Sequence, residues 1–148
     1  PTNLPSSSPT VDIEGKFSIV AGGLNNSALG DFCIVSGGFK NNAAPKKFAT
    51  VSGGAENKAE ADQSTITGGT GNFICKDCTS GVIVGGQNNM IEGKESTECT
   101  IGAGSRNTIK NSPFATIVGG NKNLIKNSNA GSIGGGKENQ VTGDFAVV

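Results

Sequence analysis

The sequence predicts an all-β protein: a parallel β-solenoid, or flattened β-roll, of about eight coils with two short strands in each. Three observations carry that prediction. Glycine is abundant, at 24 of 148 residues. The aromatic residues are seven Phe with no Trp or Tyr, too few for a core built on large side chains. Most telling is self-similarity: Gly-Gly-x-x-Asn-x-(small or β-branched) recurs eight times, with the Asn at Asn26, Asn41, Asn57, Asn72, Asn89, Asn107, Asn123 and Asn139. The second glycine returns after 15, 16, 15, 17, 18, 16 and 16 residues between Gly23 and Gly136, and only Ala103 replaces a first glycine. Such a period is too short for a helical repeat. The segments before each Gly-Gly are rich in Val, Ile and Thr, which favour pleated strands.

Residues 1–16 read as a Pro/Ser-rich linker and lead-in, and residues 17–148 as one solenoid domain. "PTNLPSSSPT" has no packing pattern and suits a stalk open to O-glycosylation. Residues 11–16 lead into the first coil. Each coil then has room for a strand A (residues 17–21 and their equivalents), a Gly-Gly turn, and a strand B that starts at the repeated Asn. A second turn falls at Gly30-Asp31, Gly93, Asn111, Asn127 and Gly143-Asp144. Glycine supplies positive φ at such corners. Residues 145–148 begin a ninth coil, whose edge calls for a cap: a partner, further residues or twist.

Period-two alternation decides which side chains point inward. On strand A these are a small residue and an aliphatic one, from Ser18/Val20 and Cys33/Val35 to Gly131/Ile133. On strand B they are the repeated Asn and Ala28, Ala43, Ala59, Ile74, Ile91, Ile109, Ile125 or Val141. A buried amide is unfavourable unless paired, so the eight Asn residues read as a structural ladder bonding to one another and to the turn backbone. A sugar- or metal-binding role for them is the alternative. Phe17, Phe32, Phe48, Phe114 and Phe145 share one corner with Gln63, Ser80, Glu98 and Ala130, and read as a partial aromatic stack in preference to a ligand platform.

Other chemistry is sparse. Twelve basic and twelve acidic residues cancel, leaving no electrostatic footprint for nucleic acid or an anionic membrane. No apolar run approaches the roughly 18 residues of a transmembrane helix. No signal peptide is visible, while a leader removed before Pro1 stays open. His is absent, which removes the commonest general base and metal ligand. Cys33 and Cys99 occupy the same inward position four coils apart, about 19 Å by strand spacing, so they act as small core fillers. Cys75 and Cys78, in "CKDC", form a candidate disulfide of a secreted, extracellular protein; redox chemistry or half a zinc site is the other reading of that spacing. Asn25-Asn26-Ser27 is a sequon on an exposed turn. "GSIGGGKEN" lacks the residue order of a phosphate loop, and the acidic ladder of calcium-binding solenoids is missing. No catalytic site, metal or cofactor is expected.

The two outward faces differ. Strand A presents Ile19, Ile34, Ser36, Thr50, Ser52, Thr65, Thr67, Val82, Val84, Thr100, Thr116, Val118 and Ser132, with Ala21, Gly102 and Gly134 between them, and no charge. Strand B presents a mixture that includes Asn42/Ala44, Lys58/Glu60, Phe73/Cys75, Met90/Glu92 and Leu124/Lys126, as an ordinary wet surface does. A level, uncharged field of hydroxyls and methyls over eight coils is too large to be incidental. Its points form a lattice of roughly 4.8 by 6.7 Å, able to order water without gripping it as charges do.

Two resemblances rest on these residues. The cadence of "NNMIEG", "ENQVTG" and "RNTIKN" resembles the β-roll antifreeze, ice-recrystallisation-inhibiting proteins of grasses over residues 17–148, although this chain has Gly-Gly pairs, longer coils and incomplete Thr columns. That resemblance implies a stacked Asn interior and a flat Thr/Val/Ser face that docks on ice. "SIVAGGLNNSALGD" also resembles head repeats of trimeric autotransporter adhesins, which implies that the same face is an oligomer interface. The expectation is an ice-binding protein whose partner is the ice/water surface. An adhesin or structural module forming a homo-oligomer is the alternative, and a carbohydrate-acting solenoid enzyme is third.

Overall fold

A computed structural model describes residues 10–148. The stalk reading of residues 1–9 lies outside them. The described chain winds as a parallel β-solenoid of eight coils, each numbered by its Gly-Gly copy and each holding two strands.

One sheet has eight strands: β2 (Ile19–Val20), β4 (Ile34–Val35), β6 (Thr50–Val51), β8 (Thr65–Ile66), β10 (Val82–Ile83), β12 (Thr100–Ile101), β14 (Thr116–Ile117) and β16 (Ser132–Ile133). The other has nine: β1 (Asp12–Ile13), β3 (Ser27–Ala28), β5 (Asn42–Ala43), β7 (Lys58–Ala59), β9 (Phe73–Ile74), β11 (Met90–Glu92), β13 (Thr108–Lys110), β15 (Leu124–Lys126) and β17 (Gln140–Val141). Every pairing is parallel and in register, so residues at equivalent positions of successive coils stand side by side. The lead-in joins the stack, because β1 pairs with β3 through Asp12 and Ser27. At the other end Val147 bridges Ser132, where a ninth strand A begins.

The core lies between the two sheets, and the alternation places it as expected. Val35, Val51, Ile66, Ile83, Ile101, Ile117 and Ile133 are fully buried from one side, and Ala28, Ala43, Ala59, Ile74, Ile91, Ile109 and Ile125 from the other. Size is compensated across this thin interior. A Cβ on Gly81 would stand 3.0 Å from the Ile74 Cγ2 methyl, and one on Gly131 would stand 3.0 Å from both Ile125 and Val141, so glycine makes room for the facing aliphatic. Two expected outward residues turn in: Ala44 is buried and Cys75 is half-buried against the core. Their strands end at Ala43 and Ile74, so alternation stops one residue short of them.

The Asn ladder is present, and it bonds the turn backbone as expected. Asn57 Nδ2 donates to Gly53 O at 2.9 Å and to Gly69 O at 3.0 Å, while its Oδ1 accepts the Asn72 backbone N–H at 3.0 Å. The same pattern holds at Asn41, Asn72, Asn89, Asn107 and Asn123. Each amide bonds the turn of its own coil and the backbone of the next coil, and not another side-chain amide. With its donors and acceptor all used, each amide is satisfied without water.

The corners follow the expectation in part. Positive φ falls on the second glycine of each pair, as at Gly54 with φ 86°, and at the second turn on Gly93, Asn111 and Asn127 with φ 92°, 47° and 51°, whereas Gly30 and Gly143 have no left-handed backbone. Gly30 serves close approach instead, since a Cβ there would overlap Lys46 O of the next coil. Left-handed backbone also falls at the aromatic position: Phe17, Phe32, Phe48, Gln63, Ser80, Glu98, Phe114, Ala130 and Phe145, all with φ from 54° to 59°. A bulky residue there is strained by roughly 1–3 kcal/mol. The stack over-determines the conformation, because from Phe32 onward each N–H is held by the preceding coil, as Phe32 N–H is by Lys16 O at 2.8 Å. Phe17, Phe32 and Phe48 stack with ring centroids 5.2 and 5.0 Å apart.

Candidate functional site

The outward side of the eight-stranded sheet carries two columns. The leading column reads Ile19, Ile34, Thr50, Thr65, Val82, Thr100, Thr116 and Ser132, each residue paired in register with the next. The trailing column, two residues on, reads Ala21, Ser36, Ser52, Thr67, Val84, Gly102, Val118 and Gly134. All thirteen residues expected to form the surface point outward. Ile19, Ile34, Ser36, Ser52, Thr67, Val84 and Val118 are exposed, and Thr50, Thr65, Val82, Thr100, Thr116 and Ser132 are half-buried. Of the apolar ones the most open are Val118 at 59% and Ile19 at 53% exposure.

Rigidity comes from the backbone ladder beneath them. Thr50 N–H donates to Ser64 O at 2.9 Å, Thr65 N–H to Gly81 O at 2.9 Å, and Thr67 N–H to Ile83 O at 3.0 Å. The backbone N–H of each is thereby tied to the next coil. An inward hydroxyl is used internally, as Ser64 Oγ donates to Ala61 O at 2.7 Å. Among the described residues the outward hydroxyls of Thr50, Ser52, Thr65, Thr67, Thr100 and Thr116 have no protein partner, which leaves them to solvent.

The opposite face differs in kind. It carries Lys58, Glu60, Glu92, Lys110 and Lys126, and Lys110 Nζ pairs with Glu92 across adjacent coils at 2.8 Å. No ionisable side chain stands in either column of the first face.

Cys75 and Cys78 are joined in a disulfide, and Cys33 and Cys99 are free and buried. Burial raises the Cys33 thiol pKa and pushes that of Cys99 up to about 11. Their thiols donate internally, Cys99 Sγ to Ser112 O at 2.9 Å. Asn25 of the sequon is half-buried with φ 56°, and its Oδ1 accepts the Thr10 hydroxyl at 3.1 Å, so the turn is less open than expected. A hollow of about 370 Å³ lies by the second corner, lined by Glu95, Asn111, Pro113, Asn127, Asn129 and Asp144. Among the described residues no three His, Cys, Asp or Glu side chains gather as a metal site, and no helix is long and apolar enough to cross a membrane.

Two polar ladders escaped the sequence reading. Ser96, Ser112 and Ser128 are buried at the second corner, where Ser112 N–H donates to Ser96 Oγ at 3.2 Å and Ser128 N–H to Ser112 Oγ at 3.1 Å. The doubled "KNS" at Lys110-Asn111-Ser112 and Lys126-Asn127-Ser128 is the signal that marks them. Asp31, Asp62 and Asp144 accept the backbone N–H of Lys16, Lys47 and Asn129 at 3.0, 2.9 and 2.7 Å, one residue before the left-handed corner.

Neither protein-family models nor characterised proteins match this chain.

Proposed function

We propose that this protein binds ice through the two-column face, and that it acts by adsorption without catalysis. One observation carries the reading: an uncharged, in-register column of Ile, Val, Thr and Ser held by a continuous hydrogen-bonded sheet over eight coils. Eight strands at roughly 4.8 Å spacing give a level strip about 34 Å long. Fixed methyls leave neighbouring water bonded mainly to itself, and the hydroxyls add weak anchors at regular intervals. Charged groups would instead impose their own hydration geometry, and they are confined to the other face. The Cys75–Cys78 disulfide supports an extracellular setting.

The test is thermal hysteresis and ice-recrystallisation inhibition by the purified protein, with Thr65→Lys as the variant. The native chain shapes ice crystals and Thr65→Lys, still folded, does not. A native protein that leaves ice growth unaltered disposes of the reading.

A second reading, in which this face is an adhesin or structural homo-oligomer interface, is favoured by coils 1 to 3. There Phe17, Phe32 and Phe48 stand exposed beside Ile19 and Ile34. It requires a stable oligomer by light scattering and no effect on ice.

A further inference from the structure

The trailing column has two gaps, at Gly102 and Gly134, and they differ physically. At Gly102 the chain is drawn onto the next coil, with Gly102 N–H donating to Ile117 O at 2.9 Å and Ala103 N–H to Val118 O at 3.2 Å. A Cβ on Gly102 would overlap the Val118 carbonyl oxygen. That gap is built into the backbone. Gly134 has no left-handed backbone, and the nearest atom to a Cβ there is Val148 O at 3.7 Å, an ordinary contact. That gap can be filled.

Both columns therefore carry a hydroxyl or a branched apolar group in consecutive coils only from Ile34/Ser36 through Thr50/Ser52 and Thr65/Thr67 to Val82/Val84. Beyond Gly102 the trailing column holds Val118 alone, with a glycine on either side. A single column defines a line. Water held in a fixed planar pattern needs groups on both sides of it, since an ordered water takes two to four partners.

Resting on the ice-binding reading, we infer that the docking patch is the four-coil block from Ile34/Ser36 to Val82/Val84, and that Gly102 is the residue that ends it. Thr100, Thr116 and Ser132 continue the line without completing the lattice. Filling Gly134 joins Val118 to a neighbour and completes both columns over coils 7 and 8.

The experiment compares recrystallisation inhibition by the native chain, Thr67→Lys, Ser132→Lys and Gly134→Thr, with circular dichroism showing that each is folded. Thr67→Lys lies inside the patch and loses at least about tenfold, as a central contact of a binding site does, whereas Ser132→Lys stays within about twofold of the native chain. Gly134→Thr inhibits at about half the native concentration or less, because it adds two paired coils to the four. Equal losses at Thr67 and Ser132, or a folded Gly134→Thr with unchanged activity, overturn the four-coil patch and leave ice binding standing. A native chain inactive on ice removes the reading, and this inference with it.

Discussion

Asn72 donates its backbone N–H to the side-chain Oδ1 of Asn57 in the coil below, at 3.0 Å, and both residues are fully buried. The side chain of one coil thus satisfies the main chain of the next. Asn72 itself donates to Gly68 O and Gly86 O at 3.0 and 3.1 Å and accepts from Asn89 N–H at 2.9 Å.

Asn72→Ala removes all three bonds and leaves the buried Asn89 N–H and the half-buried Gly68 O unpaired, at roughly 1–3 kcal/mol for each unsatisfied group. A loss of about 3 kcal/mol or more in chemical denaturation is expected. A loss under about 1 kcal/mol would show that water replaces the amide.

The two glycines of a pair are unequal. Gly54 has φ 86°, and a Cβ on it would overlap Gly69 O and stand 2.7 Å from Asn57 Nδ2, whereas nothing lies within 4 Å of a Cβ on Gly53. Gly54→Ala is therefore expected to destabilise by about 3 kcal/mol or more, from left-handed strain and overpacking together. Gly53→Ala changes stability by less than about 1 kcal/mol, in keeping with the Ala at position 103. Thermal melts of the two variants decide it.

Ice binding is expected to be flat between about pH 5 and 8. The face holds no ionisable group and the chain has no His. Acid acts elsewhere. The Lys16 backbone N–H, aided by the Lys47 charge, lowers the Asp31 pKa, so the carboxylate contributes stability above its unfolded value, near 3.9, and loses it as pH falls through its lower folded value. The excess melting temperature of the native chain over Asp31→Asn should therefore shrink below about pH 4. An excess that grows in acid contradicts this.

Thiol labelling separates the four cysteines. Cys75 and Cys78 are bonded, and Cys33 and Cys99 are buried with raised pKa values. The native chain is expected to take up no alkylating reagent at neutral pH, and two equivalents once unfolded without reductant, because the thiolate is the reacting form. Cys75→Ser with Cys78→Ser lowers stability by about 2 kcal/mol or less, since the closed loop is short. Rapid labelling of folded protein at Cys99 would contradict the burial.

What the sequence determined by itself is the coil. A Gly-Gly recurring every 15 to 18 residues sets the winding. Alternation by two then assigns Thr50, Thr65 and Thr116 outward and Val51, Ile66 and Ile117 inward, because a pleated strand offers its side chains to two faces and no others. Identical positions stack since parallel pairing in register lets each coil's strands hydrogen-bond to the next. Tertiary structure alone decided how coils meet along the axis. It made the Asn amides bond backbone instead of each other, placed Phe17, Phe32 and Phe48 in left-handed corners, and pressed Gly102 onto Val118. Those outcomes depend on the separation and slide of neighbouring backbones, a few tenths of an ångström that no residue pattern encodes.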